Sequence, residues 1–143
     1  MTTINGTNND DWIIYQASEN PIAYGYDDND SVWNSGGSND SLYSGDGNDT
    51  FLNWYGNNYL PGGNRIDYLV DGFANAILDG GALSDTFGDV GNNYLLGGDN
   101  PIDDLVERFR FGNAILDGGA LSDTFGNVGN NYLPAGGLVA DGS

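Results

Sequence analysis

The residues with the clearest potential for chemistry are aspartates that recur once every 18 to 20 positions of the 143-residue chain. Each is followed two positions later by an apolar residue, as Asp49 is by Phe51. Carboxylate oxygens are the ligands that Ca²⁺ prefers, and glycine-rich turns add backbone carbonyl oxygens to such sites. The series predicts a row of metal ligands, and its seven members are Asp11, Asp30, Asp49, Asp67, Asp85, Asp103 and Asp123.

A second polar series, mostly of amides, alternates with the first: Asn20, Asp40, Asn58, Asn75, Asn93, Asn113 and Asn131. Together the fourteen units recur every eight to ten residues, a period that is typical of a solenoid. Gly, Asn and Asp fill the intervening stretches and favour tight turns, so each unit predicts a turn followed by a short strand. We therefore predict an all-β parallel β-roll or β-solenoid, with two turn-strand units in a coil of about 18 residues and one domain over residues 1–143.

The apolar residue of each unit is predicted to face the core of the solenoid. The predicted core residues are Ile13, Ile22, Val32, Leu42, Phe51, Leu60, Leu69, Ile77, Phe87, Leu95, Leu105, Ile115, Phe125 and Leu133.

Stacking of the coils would place the acids of the first series close together. At about 5 Å, each neighbouring pair of carboxylates would repel by roughly 3 kcal/mol at an effective dielectric constant near 20. A domain whose net stability is typically about 5–15 kcal/mol needs compensation for such a column. Calcium suits the task because it accepts many oxygen ligands in flexible geometry, whereas magnesium demands a tighter octahedron and keeps its waters. We expect calcium ions between the coils, with Asp30, Asp49 and Asp67 best placed to bind them.

An alternative needs no metal. Asp and Asn side chains commonly accept hydrogen bonds from backbone N–H groups in their own turns. A column of stacked amides can also form hydrogen bonds along itself, as in cross-β arrays. This alternative is favoured for the second series and remains open for the first.

Residues 44–52, Ser-Gly-Asp-Gly-Asn-Asp-Thr-Phe-Leu, give the clearest copy of the repeat unit. The unit resembles the nonapeptide of the RTX (haemolysin-type) calcium-binding repeats, Gly-Gly-x-Gly-x-Asp-x-apolar-x, and lacks only its first glycine. The opening residues 3–7 resemble the starts of such repeat proteins in cyanobacteria. The likeness covers nearly the whole chain in degenerate form, with weaker copies at residues 36–42, 62–69, 80–87 and 118–125.

The resemblance to RTX repeats implies a β-roll that folds when calcium binds in its turns, and export by a type I system. Carried onto this chain, it implies that Gly45 and Gly47 offer backbone carbonyl ligands and Asp49 a carboxylate. The chain departs from the family at the fourth position of the unit, where a side chain is expected to fit a metal-coordinating turn poorly. That position holds Arg65, Leu83 and Leu121 in place of glycine.

Composition excludes several classes of function. The net charge is −18, from 21 acidic residues against three Arg and no Lys, so we expect neither nucleic acid nor an anionic membrane as a partner. The chain has no Cys and no His, which removes disulfides and the usual zinc, copper and haem sites. It also lacks a recognisable catalytic base or activated nucleophile, so we expect no enzyme.

Neither a membrane span nor a targeting segment is recognisable. No apolar stretch is long enough to cross a bilayer, so we expect no membrane insertion. Residues 1–11 lack the basic start and apolar run of a secretory signal peptide. A type I route to the cell exterior fits this pattern.

Three tryptophans, Trp12, Trp33 and Trp54, stand 21 residues apart, near one in each coil. They predict either an outer aromatic strip for carbohydrate or another partner, or a simple covering of the strand surface.

These patterns predict a non-enzymatic, secreted, calcium-binding protein with a structural role. Neither end shows an amphipathic cap helix, which predicts end-to-end self-association into an extracellular fibre or surface layer. The alternative is a binding or adhesion module, or the repeat part of a larger secreted toxin or enzyme. Ice binding is disfavoured because it needs a regular array on one face, whereas the turn residues vary: Gly37, Asp46, Asn64 and Ala82.

Overall fold

A computed structural model describes residues 2–16, 19–91, 93–98, 104–107, 115–119, 124–126, 132 and 138–140 of the chain. These residues form short β-strands and include no helix of the length and apolarity that a membrane crossing requires. The strands are β1 (Thr3–Asn5), β2 (Trp12–Tyr15), β3 (Ile22–Asp27), β4 (Ser31–Asn34), β5 (Ser41–Asp46), β6 (Thr50–Asn53), β7 (Tyr59–Pro61), β8 (Gly63–Asn64), β9 (Tyr68–Ala74), β10 (Ile77–Asp79), β11 (Thr86–Gly91), β12 (Tyr94–Leu96), β13 (Asp104–Glu107), β14 (Ile115–Asp117), β15 (Thr124–Gly126) and β16 (Leu138–Ala140).

Two eight-stranded parallel sheets form the walls of a β-solenoid. Sheet A has the order β1-β3-β5-β7-β10-β12-β14, with β8 beside β5, and sheet B has the order β2-β4-β6-β9-β11-β13-β15-β16. Paired residues of adjacent coils are 18 or 19 positions apart in the first part of the chain, as in the bonds from Asp30 to Asp49 and from Asp49 to Asp67. Later coils vary, with 17 positions between Ile77 and Tyr94 and 21 between Tyr94 and Ile115. The predicted fold class and the predicted coil length of about 18 residues are therefore confirmed.

The core between the sheets receives one large apolar side chain from most strands. Phe51 and Phe87 are fully buried, and none of the core residues is more than 4% exposed. Seven predicted core residues are buried, and the observed set is Ala23, Val32, Leu42, Phe51, Leu60, Leu69, Ala76, Leu78, Phe87, Leu95 and Leu116. Ile13 is only partly buried, and the side chains of Leu105, Phe125 and Leu133 lie outside the described part of the structure.

Three predicted core residues, all in sheet A, are wrong by one position: Ile22, Ile77 and Ile115. Ile77 is 44% exposed, and the side chain that fills the core is the next one, Leu78. The strand registers pair Ile77 with Tyr59, so Leu78 aligns with the buried Leu60. A shift of one residue moves a side chain to the opposite face of a strand, so the spacing of the motif placed these three side chains on the wrong side.

Candidate metal centre

The turns that lead from sheet A to sheet B place the first aspartate series. In the turns before Asp30, Asp49, Asp67 and Asp85, two backbone positions are left-handed, the fourth and the second before the aspartate. In the turn before Asp49 these are Gly45 (φ 109°) and Gly47 (φ 150°). A β-carbon on either glycine would collide with a carbonyl group of the preceding coil, at Tyr26 or Asp28. Glycine is therefore favoured at these positions by close stacking as well as by φ.

Residues that replace glycine at the second of these positions adopt the same turn conformation. Arg65 (φ 113°) and Leu83 (φ 78°) adopt the left-handed conformation that Gly47 adopts one or two coils earlier. Both side chains are exposed, so they project away from the turn and do not fill it. A side chain at this position was expected to fit the turn poorly. Its cost in the structure is backbone strain, because the left-handed conformation is unfavourable for residues other than glycine.

The first series forms one continuous ladder along the solenoid. The Oδ1 atom of Asp30 accepts the backbone N–H of Asp11 at 2.9 Å, and Oδ1 of Asp49 accepts that of Asp30 at 2.7 Å. The pattern continues with Asp49 N–H to Asp67 and Asp67 N–H to Asp85, each at 2.8 Å. Each of these carboxylates therefore accepts a backbone N–H of the coil before its own, whereas the metal-free alternative expected each to cap its own turn.

The second carboxylate oxygen distinguishes the inner aspartates from the first one. Thr7 donates its N–H and its hydroxyl to Oδ2 of Asp11. In Asp30 and Asp67, which are each 1% exposed, the Oδ2 atom is buried and has no hydrogen-bond partner. A buried carboxylate oxygen without a donor is costly and in native proteins is usually satisfied by an ion, a water molecule or a proton.

Small residues of sheet A form a cradle for these oxygens. Oδ2 of Asp30 lies against the α-carbon of Gly25, and Oδ2 of Asp67 lies against that of Gly62. The backbone carbonyl oxygens of Ser44 and Gly80 border the same two glycines. The cradle thus combines carboxylate and carbonyl oxygens, which are the donor types that calcium selects.

Burial makes ionisation of the ladder unfavourable. It raises the pKa of Asp30 from 3.8 to about 6, against a lowering by the hydrogen bond from Asp11, with the negative charges of Asp49 and other acids raising it further. The pKa of Asp67 rises from 3.8 to about 7 for the same main reason. Burial also raises the pKa of Asp49. Either a proton or a cation near Oδ2 would remove this penalty.

The structure brings Asp11, Asp30, Asp49, Asp67 and Asp85 into one column, with Gly45 and Gly47 in the adjoining turns. Within the described residues, no three acidic side chains converge on one point as a metal-binding group. An ion held here would therefore rely on one or two carboxylates together with backbone carbonyl oxygens. The predicted ligands Asp103 and Asp123 lie outside the described residues.

A groove of about 480 Å³ runs along the outer surface of the same turns. Its lining includes the exposed acids Asp27, Asp28 and Asp46, with Arg65 at one side. The Nδ2 group of Asn64 donates to Asp46 at 2.5 Å. The excess of negative charge in this groove would raise the local concentration of cations outside the ladder.

The second polar series is divided between two ladders at the opposite end of each coil. The inner ladder contains Asp40, Asn58 and Asn93: Asn58 Oδ1 accepts the N–H of Asp40 at 2.9 Å, and Asn93 Oδ1 accepts that of Ala76 at 2.7 Å. Asn20 and Asn75 belong instead to an exposed outer ladder with Asn39 and Asn57. The prediction of one amide column was wrong because Asn20 and Asn75 lie one residue earlier in the register than Asp40 and Asn58. Asn113 and Asn131 lie outside the described residues.

One buried acid, Asp71, belongs to neither of the two polar series that the sequence predicts. It lies within β9, aligns with Asn53 and Asn34 at the ends of β6 and β4, and is 0% exposed. Asn58 donates to its Oδ1 at 2.7 Å, while its Oδ2 has no partner. Burial raises the pKa of Asp71 to about 7, against the lowering effect of the Asn58 hydrogen bond. The recurrence of Asn34, Asn53 and Asp71 at the coil period was the available signal.

Comparison of the chain with protein-family models, with curated proteins and with solved structures finds no match. The resemblance to RTX repeats remains a prediction from the residues.

Proposed function

We propose that this chain is a non-enzymatic, calcium-binding β-solenoid with a structural role outside the cell. The observation that supports calcium binding is the buried Oδ2 atom of Asp30 and of Asp67, which no hydrogen-bond donor satisfies among the described residues. The resemblance of residues 44–52 to calcium-binding nonapeptides points to the same ion.

Calcium explains three features of the ladder together. It would neutralise carboxylates whose burial disfavours ionisation, and it would satisfy the second oxygen, since calcium accepts many oxygen ligands. It would also use the carbonyl oxygens that border Gly25 and Gly62. The competing explanation, a proton on each carboxylate, explains the first two features only up to about pH 6 to 7, where these groups ionise.

The test is a calcium titration of the chelated protein at pH 8, followed by far-ultraviolet circular dichroism and thermal unfolding. Because only the folded state would hold the site, calcium at about 100 times its Kd should stabilise the fold by about 3 kcal/mol. Magnesium at the same concentration is the control and should have a much smaller effect. A melting temperature at pH 8 that is the same in EDTA and in calcium would refute calcium binding.

The structural role that we propose is end-to-end association of copies. Among the described strands, β2 and β16 lie at opposite ends of sheet B, and each pairs with one neighbour only. A second copy in the same orientation would continue the parallel sheet and cover these edges. Sedimentation velocity and electron microscopy at saturating calcium should detect filaments or layers, and monomers at all protein concentrations would contradict this part of the proposal.

A further inference from the structure

The outer surface of sheet B over β2, β4, β6 with the adjoining Trp54, and residues 68–70 of β9, here called the tryptophan face, has an unusual composition for this chain. The strand burial patterns place alternate residues outward, such as Ile14, Trp33 and Leu52. The outward positions carry apolar, aromatic or hydroxyl side chains and no charge, although the chain as a whole has 21 acidic residues. A charge-free face on so acidic a protein is suited to an uncharged partner.

Three indoles cross the tryptophan face on a diagonal. Trp12, Trp33 and Trp54 are 75%, 42% and 38% exposed. The register pairs Ile14 with Trp33, so Trp33 lies one strand over and two residues along from Trp12. It also pairs Trp33 with Leu52, and Trp54, which directly follows β6, stands two residues beyond Leu52. Strand spacing and rise give steps of about 8 Å between successive tryptophan backbones.

The indoles are free to receive a ligand in a way that the tyrosines of sheet A are not. On sheet A, the rings of Tyr24 and Tyr43 stack on each other with centroids 5.2 Å apart. No ring-to-ring contact of this kind involves a tryptophan within the described part of the chain. The three indole rings therefore do not stack on other aromatic rings of the described chain.

The size of the tryptophan face argues against a second copy of the chain as its occupant. Four strands and five residues give a flat area of roughly 300 Å². A stable protein interface needs about 800 Å² from each partner. A narrow, elongated ligand fits the diagonal better than a second protein surface.

We propose that the tryptophan face binds a linear, uncharged polysaccharide. The apolar C–H faces of successive sugar rings would pack on Trp12, Trp33 and Trp54, since indoles offer broad apolar surfaces with a polar edge. Ser31 and Thr50 occupy the outward row that begins with Trp12, and their hydroxyls would form hydrogen bonds with sugar hydroxyls. The surrounding acids repel polyanionic chains, so the charge of the polymer should decide binding.

The experiment is affinity electrophoresis of the folded full-length chain through gels that contain hydroxyethyl cellulose, galactomannan or alginate. At least one of the two neutral polymers should retard the protein, and alginate should not. Trp33→Ala should weaken binding by about tenfold, as expected for the loss of one large apolar contact. Tyr43→Ala, which removes a similarly exposed ring (37%) from sheet A, is the matched control and should leave retardation unchanged.

Circular dichroism checks that each variant is folded, and Trp12→Ala replaces Trp33→Ala if the latter is not. The absence of retardation by both neutral polymers, or equal effects of the tryptophan and Tyr43 variants, would overturn the proposal. A dimer that the tryptophan variant dissociates would also overturn it and would assign the face to contact between copies. None of these outcomes depends on whether the aspartate ladder binds calcium.

Discussion

The carboxylate of Asp67 lies over the α-carbon of Gly62, in the space that a β-carbon on residue 62 would occupy. The same relationship joins Asp30 to Gly25 and Asp85 to Gly80. A glycine at the inner face of sheet A and an aspartate five residues later therefore form one structural unit of the coil. Ser44 replaces the glycine in the coil of Asp49 and directs its hydroxyl to the Gly62 carbonyl oxygen.

We expect Gly62→Ala to destabilise the fold by about 1–3 kcal/mol, because the added methyl group must displace a buried carboxylate. Urea unfolding monitored by circular dichroism measures the change. The matched control is Gly37→Ala, whose new β-carbon would meet no atom within 4 Å. Equal effects of the two substitutions would contradict the close packing of Asp67 on Gly62.

The variant Asp67→Asn separates the two explanations of the ladder by the sign of its effect. The amide oxygen can still accept the N–H of Asp49, as the amide of Asn58 does for Asp40. In EDTA at pH 8 the variant should be more stable than the native protein by about 1–3 kcal/mol, because a buried unpaired charge is removed. In saturating calcium it should be less stable, because a ligand is lost.

Thermal unfolding in the two buffers measures both effects of Asp67→Asn. The control is Asp27→Asn at an exposed position of the same end of the coil, which should change the melting temperature little in either buffer. A variant of Asp67 that is more stable than the native protein in calcium as well would exclude a calcium ligand at this position.

The pH dependence of the chelated protein has a definite sign. The folded-state pKa values of Asp30, Asp67 and Asp71 are raised to about 6, 7 and 7, from an ordinary 3.8. The folded state therefore holds more protons than the unfolded chain between about pH 4 and pH 7, and stability from these groups is lost as the pH rises through 6 and 7. In EDTA the melting temperature should be lower at pH 8 than at pH 5.

Calcium should remove most of this pH dependence if it occupies the ladder, since it would stabilise the ionised form of Asp30 and Asp67. The part due to Asp71 should remain, because Asp71 lies at the other end of the coil from the ladder. Melting curves at pH 5 and pH 8, with and without calcium, measure both parts. A chelated protein that is more stable at pH 8 than at pH 5 would contradict the burial of these acids.

From Asp11 to Asp85 the sequence predicted the alignment of the aspartate ladder correctly, because the motif has the same register in each of these coils. Asp11, Asp30 and Asp49 each stand two residues before a side chain that points inward, so the motif and the fold coincide. At the opposite end of the coil the motif is compatible with two strand registers. Ile77 stands two positions after Asn75, as the motif requires, but the residue buried in the core is Leu78. The choice is fixed by the stacking of Ile77 on Tyr59 and Tyr94, which no local pattern contains.

The sequence also could not predict which carboxylate oxygens would lack a hydrogen-bond partner. A period places the aspartates in a column, but it does not say which of their two oxygens caps a backbone N–H. The choice of oxygen depends on how each turn lies against the coil before it, as in the hydrogen bond from the N–H of Asp49 to Oδ1 of Asp67. Sequence therefore predicted which acids would line up, and the structure added which oxygen of each remains for a ligand.

At the end of the coil that carries the second polar series, Asn58 forms hydrogen bonds with three groups. It should be the residue least tolerant of substitution there. It accepts the N–H of Asp40 and donates to Asp71 at 2.7 Å and to the Gly56 carbonyl oxygen at 2.8 Å. We expect Asn58→Ala to cost about 2–4 kcal/mol, because it leaves several buried polar groups without partners. Asn57→Ala, in the exposed outer ladder, should cost less than about 1 kcal/mol, and equal urea midpoints for the two variants would contradict this assignment.

Leu83 offers a test of backbone strain in the degenerate turns. Its φ of 78° places a branched residue in the left-handed region, and its side chain is 42% exposed, so packing compensates little. Leu83→Gly should stabilise the fold by about 0.5–1 kcal/mol, because the relief of backbone strain in the folded state outweighs the larger conformational entropy that glycine gives the unfolded chain. Leu83→Ala is the control, because alanine keeps the strained φ while removing the same side chain. Thermal unfolding in calcium should rank the glycine variant above the alanine variant, and the reverse order would mean that Leu83 is held by contacts and not strained by its turn.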